Sequence, residues 1–276
     1  MTDEHEIRKM VRKSYAKVAE EGCGCCGPNT SCCGSATTAE QMSKRMGYSA
    51  EEMGSVPEGA NLGLGCGNPL AHAEIHEGDT VLDLGSGAGF DCFLAARNVG
   101  KTGRVIGVDM TPEMVARARE NAKKANVTNV EFRLGEIEAL PVADTSVDLI
   151  ISNCVINLSP DKARVFKEAY RVLRPGGILM VSDIVLEHEL PEAVRTSAAA
   201  YASCIAGALR KEEYLDLIRT ADFSDVRILE ETRVPFDLAV PDPLQKAGIV
   251  SLSHFSNDPD LRESVKSVKV KAVKRA

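Results

Sequence analysis

Thr80-Val-Leu-Asp-Leu-Gly-Ser-Gly-Ala-Gly-Phe-Asp91 is the stretch that decides the fold. A strand-length apolar run enters a G-x-G-x-G turn, whose glycines let backbone N–H groups approach a ligand at a helix N-terminus. Outward from it, RVIGVD (104–109), VEFRL (130–134), VDLIIS (147–152) and ILMVSD (178–183) repeat the strand pattern, with helix-length segments between them. This is the rhythm of a parallel βαβ sheet. Thr111 and Pro112 are placed to start a helix to about residue 125, and Ser159 and Pro160 one to about residue 173; such crossovers are long enough to be right-handed. An Ala-rich helix over 191–209, a helix over 211–221 and a strand over 225–231 should follow. In SVKVKAV (267–273), Val268, Val270 and Ala272 alternate with Lys269 and Lys271, as on a strand with one solvated side.

Upstream, Ile7, Met10, Val11, Ser14, Tyr15 and Val18 share one face of a helix expected over 3–20, and Ser49 with Glu52 forms a capping box. Between them, GCGCCGPNTSCCGS (22–35) has no periodicity and reads as a loop or arm. The expected architecture is α/β: a Rossmann-like, seven-stranded, mostly parallel sheet with helices on both faces. It carries a Cys-rich N-terminal arm (1–60), a central core (61–210) and a C-terminal α+β extension (211–276).

The 276 residues carry 33 Lys+Arg against 40 Asp+Glu, a net charge of −7, which weighs against nucleic acid as the main partner. No apolar run approaches the roughly 18–20 residues of a membrane span, and the acidic start MTDEHEIRKM is unlike a signal peptide. A cytoplasmic protein is expected. Its nine cysteines then call for metal or thiol chemistry rather than a disulfide framework. Five of them (Cys23, Cys25, Cys26, Cys32, Cys33) crowd the arm, and four (Cys66, Cys92, Cys154, Cys204) are scattered.

Asp109 ends the second strand 24 residues after Gly85, where a carboxylate can accept both ribose hydroxyls. Glu136 follows the third strand and could accept from an adenine amino group; Asp83, before the loop, suits a cation. Three acids at successive strand ends fit one adenosine, whereas a dinucleotide fingerprint would read G-x-G-x-x-G. Together with VDLIISN and the turn Leu173–Gly177, these residues resemble the class I S-adenosylmethionine methyltransferases over roughly residues 70–230. The resemblance implies that Gly85, Gly87 and Gly89 shape the loop around the methionine moiety. It implies that Asp109 and Met110 hold the ribose and flank the adenine, and that Glu136 and Ile137 read the adenine edge. Asn153 would join them from the end of the fourth strand, and Tyr15 would serve as a lid.

Ligands of open α/β sheets sit beyond the carboxyl ends of the strands, where the fourth strand delivers Asn153 and Cys154. Cys66 lies in a Gly-rich loop and Cys204 in the middle of the Ala-rich helix, so a cup of three thiols can form. GANLGLGCGNP (59–69), SNCVINLS (152–159) and SCIAGAL (203–209), with the Cys-rich arm, resemble the arsenite methyltransferases that use S-adenosyl-L-methionine. In that family three cysteines hold As(III), which implies Cys66, Cys154 and Cys204 here. A further redox-active cysteine has five candidates in the arm, with Cys32 or Cys33 nearest the folded core.

Soft trivalent arsenic prefers thiolates and keeps a lone pair that can take a methyl group, so proximity matters more than proton transfer. Arsenite and methylarsenite would be substrates. A trivalent product requires two electrons back, from a dithiol reset by a thiol reductant, glutathione or a thioredoxin-like protein. Two other readings stay open: a methyltransferase of an organic acceptor such as a quinone precursor, and a thiol buffer for arsenic or zinc. Zinc on the arm would have Cys23-x-x-Cys26 spacing, but adjacent Cys32 and Cys33 fit tetrahedral geometry poorly. Cys92 reads as a core residue, and His72 with His76 as an exposed helix face.

Overall fold

The computed structural model describes residues 3–21, 39–234 and 263–276. The arm cysteines, and with them the zinc and redox expectations, lie outside the described residues. The strands are β1 (Thr80–Leu84), β2 (Arg104–Asp109), β3 (Val130–Leu134), β4 (Val147–Asn153), β5 (Leu173–Leu186), β6 (Phe223–Arg233) and β7 (Val265–Lys274). They form one sheet in the order β3-β2-β1-β4-β5-β7-β6. β1 to β5 pair in parallel, and β7 runs antiparallel to both β5 and β6. Residues 211–276 thus supply two of the seven strands. The order reverses between β1 and β4, which opens a crevice beyond their carboxyl ends.

The helices are α1 (Glu4–Glu21), α2 (Ala39–Arg45), α3 (Ala50–Gly54), α4 (Phe90–Asn98), α5 (Pro112–Lys124), α6 (Lys162–Val172), α7 (Glu192–Arg195), α8 (Ala198–Ala202) and α9 (Lys211–Thr220). Cys92 and Phe93 of α4 and Val115 and Ala118 of α5 pack on one face of the sheet against Val81, Val105 and Ile151. On the other face, Val165 and Phe166 of α6 and Tyr214 and Ile218 of α9 cover Leu82, Ile106 and Ile150. Each such side chain contributes about 1.5–3 kcal/mol by leaving water. A third apolar cluster lies over the carboxyl ends, where Val11 and Val18 of α1 meet Met114, Cys154, Leu158, Tyr201 and Cys204. The face expected on α1 is therefore the one it buries, and α1 closes the crevice. The Ser49 and Glu52 capping box forms as expected.

The structure corrects several expectations. The helix expected over 191–209 is broken into α7 and α8, and Cys204 sits in a turn with φ +64°. Tertiary docking overrides the Ala-rich propensity there: a Cβ on Gly207 would stand 2.1 Å from the Asn157 carbonyl oxygen, so this turn is seated on backbone. α6 is capped by Asp161, whose side chain accepts from the Arg164 N–H, while the Ser159 hydroxyl donates to Glu138. The turn Leu173–Gly177 is a bulge within β5, since pairing with β4 jumps from Val147–Leu173 to Leu149–Ile178. Nor is β7 a solvated edge. It lies between two strands, and Lys269 is buried because its ammonium pairs with Glu230 at 2.6 Å. His72 and His76 share no helix; they pair separately with Glu230 and Asp79.

Candidate active site

A cavity opens beyond β1, β2 and β4. Gly85 and Gly87 line it in the left-handed region, at φ +69° and +51°. Gly85 also needs the space: a Cβ there would stand 2.3 Å from Val155 Cγ2, whereas one on Gly87 would meet nothing within 4 Å. Gly89 turns the chain into α4 and abuts Phe93 and Phe132, so its task is packing rather than shaping the cavity wall. Asp109 ties the loop to β2, accepting from the Gly87 N–H at 2.9 Å and the Thr111 N–H at 2.8 Å. Met110, Ile137, Asn153 and Tyr15 line the same cavity.

Asp83 is buried, and desolvation followed by repulsion from Asp91 pushes its carboxyl well above the ordinary range. Its oxygen accepts from the Cys92 thiol at 3.2 Å, so Cys92 is core with one polar contact. Asp91 is pushed up to about 6 by burial, against hydrogen bonds from Tyr48 and Asn153 that favour the anion. Two buried polar atoms of cavity-lining residues, Ser86 Oγ and Asn61 Nδ2, have no hydrogen-bond partner. A polar ligand with amino-acid and nucleoside ends would satisfy such atoms, and the glycine turn leaves room for it; the residues fit S-adenosylmethionine.

α1 forms one wall through Arg8, Val11 and Tyr15. Glu136 faces this helix: its carboxylate pairs with Arg12 at 3.3 Å and Arg8 at 3.7 Å. Its neighbour Glu138, buried and paired with Arg8 at 3.3 Å, lines the cavity. The alternation Glu136-Ile-Glu138 offers two acids, and a strand-end rule selects only the first.

A second cavity adjoins the first and shares Tyr15, Met46, Leu64, Gly65 and Cys154 with it. Cys66, Cys154 and Cys204 all line it. The thiols of Cys66 and Cys154 and a carboxylate oxygen of Asp183 lie within 4.8 Å of one another. The Cys204 thiol donates to the Cys154 carbonyl at 2.8 Å, and the Cys66 thiol to the Ser182 carbonyl at 3.5 Å. Thus a loop, a strand end and a turn spread over 138 residues of sequence reach one cavity, where the Cys66 and Cys154 thiols lie within 4.8 Å of each other and Cys204, outside that cluster, turns its thiol onto the Cys154 carbonyl.

Burial pushes the Cys66 thiol up and the Cys154 thiol well up, the latter also because Cys204 and Cys66 crowd it. Tyr15 is raised well above the usual phenol range, by burial first and then by Cys204 and Cys154. Asp183 is pushed up to about 7 by burial, although the Ile184 N–H, the Asn157 amide and the Tyr214 hydroxyl all donate to it. It was invisible to the sequence reading because ILMVSD gives no sign that its last acid turns toward a thiol.

A methyltransferase-domain family matches residues 75–222. An arsenite methyltransferase of Halobacterium salinarum is 52% identical over 233 residues, 82% of this chain and 59% of that protein. Another, of Aquipseudomonas alcaligenes, is 41% identical over 206 residues, 72% of this chain and 59% of its own length. The chain thus spans about three fifths of the curated relatives it matches. The crystal structure of an arsenic(III) S-adenosylmethionine methyltransferase from Chlamydomonas reinhardtii superposes with a TM-score of 0.61 at 34% identity, covering 87% of this chain and 74% of that one. A sheet with its switch point at a glycine turn, three gathered thiols and these matches together establish that the chain belongs to the arsenite S-adenosylmethionine methyltransferase family.

Proposed function

We propose that this chain captures trivalent arsenic on Cys66, Cys154 and Cys204 and methylates it from S-adenosyl-L-methionine. The carrying observation is that three sequence-distant thiols line a cavity next to the glycine-loop cavity, with Cys154 and Tyr15 lining both.

Capture balances without an external base. Three protonated thiols and As(OH)3 give a neutral tris-thiolate and three waters, so the raised thiol pKa values at Cys66 and Cys154 are no obstacle. The thiols hold arsenic with its lone pair free, and Tyr15, Leu64 and Gly65 set what lies between the two cavities. Asp109, Met110, Ile137 and the glycine turn hold the cofactor, with Asp83 and Asn153 beside them. When bound, S-adenosyl-L-methionine supplies a sulfonium methyl group that the arsenic lone pair accepts. The apolar cluster from α1 excludes water and fixes orientation, which is the main catalytic requirement of a transfer that moves no proton.

Alkylating the lone pair formally oxidises arsenic by two electrons. Oxidising two thiolates to a disulfide returns them and gives trivalent methylarsenite, itself a substrate for another round. Cys32 or Cys33 with one site cysteine would form this disulfide, reset by glutathione or a thioredoxin-like reductant of the cytoplasm. Neither nucleic acid nor a membrane enters this scheme.

The test is methyl transfer from labelled cofactor to As(III) with thiol present, comparing wild type with Cys66→Ser, Cys154→Ser and Cys204→Ser and speciating the products. Each variant should lose arsenite binding and labelled product. Arsenite-independent labelling of an organic acceptor, untouched by the three variants, would overturn the reading. Serine at all five arm cysteines should block reduction between rounds.

A further inference from the structure

Asn153 ends β4 next to Cys154, and its amide makes more contacts than a residue that merely touches the cofactor needs. Its Oδ1 accepts the Cys66 N–H at 3.0 Å, and its Nδ2 donates to the Gly67 carbonyl at 2.8 Å. One side chain therefore clamps the backbone on both sides of the Cys66 thiol. The clamp is close: a Cβ on Gly65 would stand 2.6 Å from Asn153 Nδ2, and one on Gly67 would stand 2.1 Å from Ser182 Oγ. The same Nδ2 also reaches Asp91 Oδ2 at 3.1 Å and the Tyr48 hydroxyl at 3.0 Å, and Tyr48 in turn donates to Asp91 at 2.6 Å. Tyr48, Asp91 and Asn153 all line the first cavity, whereas Cys66 lines only the second.

Resting on the reading given under Proposed function, we infer that Asn153 is a positioning residue for Cys66. With Tyr48 and Asp91 it forms a polar bridge through which occupation of the cofactor cavity and arsenic capture favour one another. A ligand that orders the Tyr48, Asp91 and Asn153 wall orders the Cys66 loop, because the loop hangs on the same amide. The coupling is reciprocal by linkage: whatever factor the cofactor adds to arsenic affinity, arsenic adds to cofactor affinity.

The test titrates the full chain with As(III), alone and with saturating S-adenosylhomocysteine, and titrates S-adenosylhomocysteine alone. In wild type the nucleoside should tighten arsenic binding at least fivefold. Asn153→Ala should weaken arsenic binding tenfold or more and bring that ratio to one, whatever it does to nucleoside affinity in arsenic-free protein. Tyr48→Phe keeps the ring against Phe90 and loses the hydroxyl; it should shrink the ratio in the same direction, with a melting temperature showing that the fold persists. A ratio of one in wild type, or a loss in Asn153→Ala confined to nucleoside affinity, would overturn the inference. Absence of arsenic binding to wild type would instead remove the functional reading on which it rests.

Discussion

Replacing Gly85 by Ala isolates what the glycine turn contributes, because Gly87 supplies an internal control. Both residues hold positive φ, so alanine at either costs roughly 1–2 kcal/mol of backbone strain. Gly87 faces open space, and strain is its whole cost. Gly85 adds a collision: its Cβ would lie 2.3 Å from Val155 Cγ2, 2.7 Å from Cβ and 3.1 Å from Cγ1. Val155 cannot give easily, since it follows Cys154 and packs against two apolar clusters. Overpacking of this kind costs about 1–3 kcal/mol. Gly85→Ala should therefore lose roughly 2–5 kcal/mol against roughly 1–2 for Gly87→Ala. Urea denaturation monitored by circular dichroism reads the difference directly. Val155→Ala in the Gly85→Ala background should recover part of the loss, the part due to the two methyl groups, and leave the strain and the Cβ contact. Equal losses at the two glycines, or no recovery from Val155→Ala, would refute the assignment of Gly85 to close packing.

The remaining outcomes rest on burial and charge. Asp183 has a folded-state pKa of about 7, above its ordinary value; its contribution is thus full below about pH 4 and lost as pH rises toward 7. The stability gap between wild type and Asp183→Asn should accordingly move in favour of the variant across that window in urea titrations at stepped pH. Arg8→Ala removes the cation paired with the buried Glu138 carboxylate and leaves it only the Ser159 hydroxyl. It should cost about 2–4 kcal/mol and weaken S-adenosylhomocysteine binding, and Arg8→Lys should restore part of both in calorimetry. Cys204 holds φ +64°, so Cys204→Gly should be about 1 kcal/mol more stable than Cys204→Ala by thermal melting.

Legibility in the sequence followed the range of the forces involved. β1, β2 and β3 match their expected ranges to the residue: β1 and β2 lie inside the sheet and write themselves as apolar runs closed by glycine or acid, whereas β3, the half-exposed edge strand, shows apolar–polar alternation ended by Gly135. Lys269 was misplaced because the partner that lets a lysine enter the sheet, Glu230, is 39 residues away. The 191–209 segment reads as one helix by propensity, but the chain is interrupted after Arg195 and leaves the helix after Ala202, where Gly207 sits against the Asn157 backbone. At the site, residues that act through the backbone turn, such as Gly85 and Asp109, carry a local signature. Tyr48, Asp91, Glu138 and Asp183 carry none, because each acquires its place through a neighbour from another element. The three cysteines were found through short family motifs; spacing alone gave no distance between them.

The setting of the thiols also bears on which ion they select. On the proposed function, arsenite would enter neutral, burial raises the thiol pKa values of Cys66 and Cys154, and the tris-thiolate would form neutral with water as the only by-product. Nothing charged has to be buried among Val11, Leu158, Tyr201 and Ile205. A zinc ion on the same three sulfurs would have to expel three protons from thiols that resist losing them, and would leave a net charge of −1 in an apolar cluster already holding Asp183. Zinc affinity at these three cysteines should therefore be weak at pH 7 and climb steeply with pH, while arsenite affinity stays nearly flat until the thiols ionise. Competition of the two ions for a chain with serine at the five arm cysteines, read between pH 6 and pH 9, separates the cases. Parallel pH profiles would mean that burial at Cys66 and Cys154 does not set the choice of ion, and that the preference comes from sulfur geometry alone.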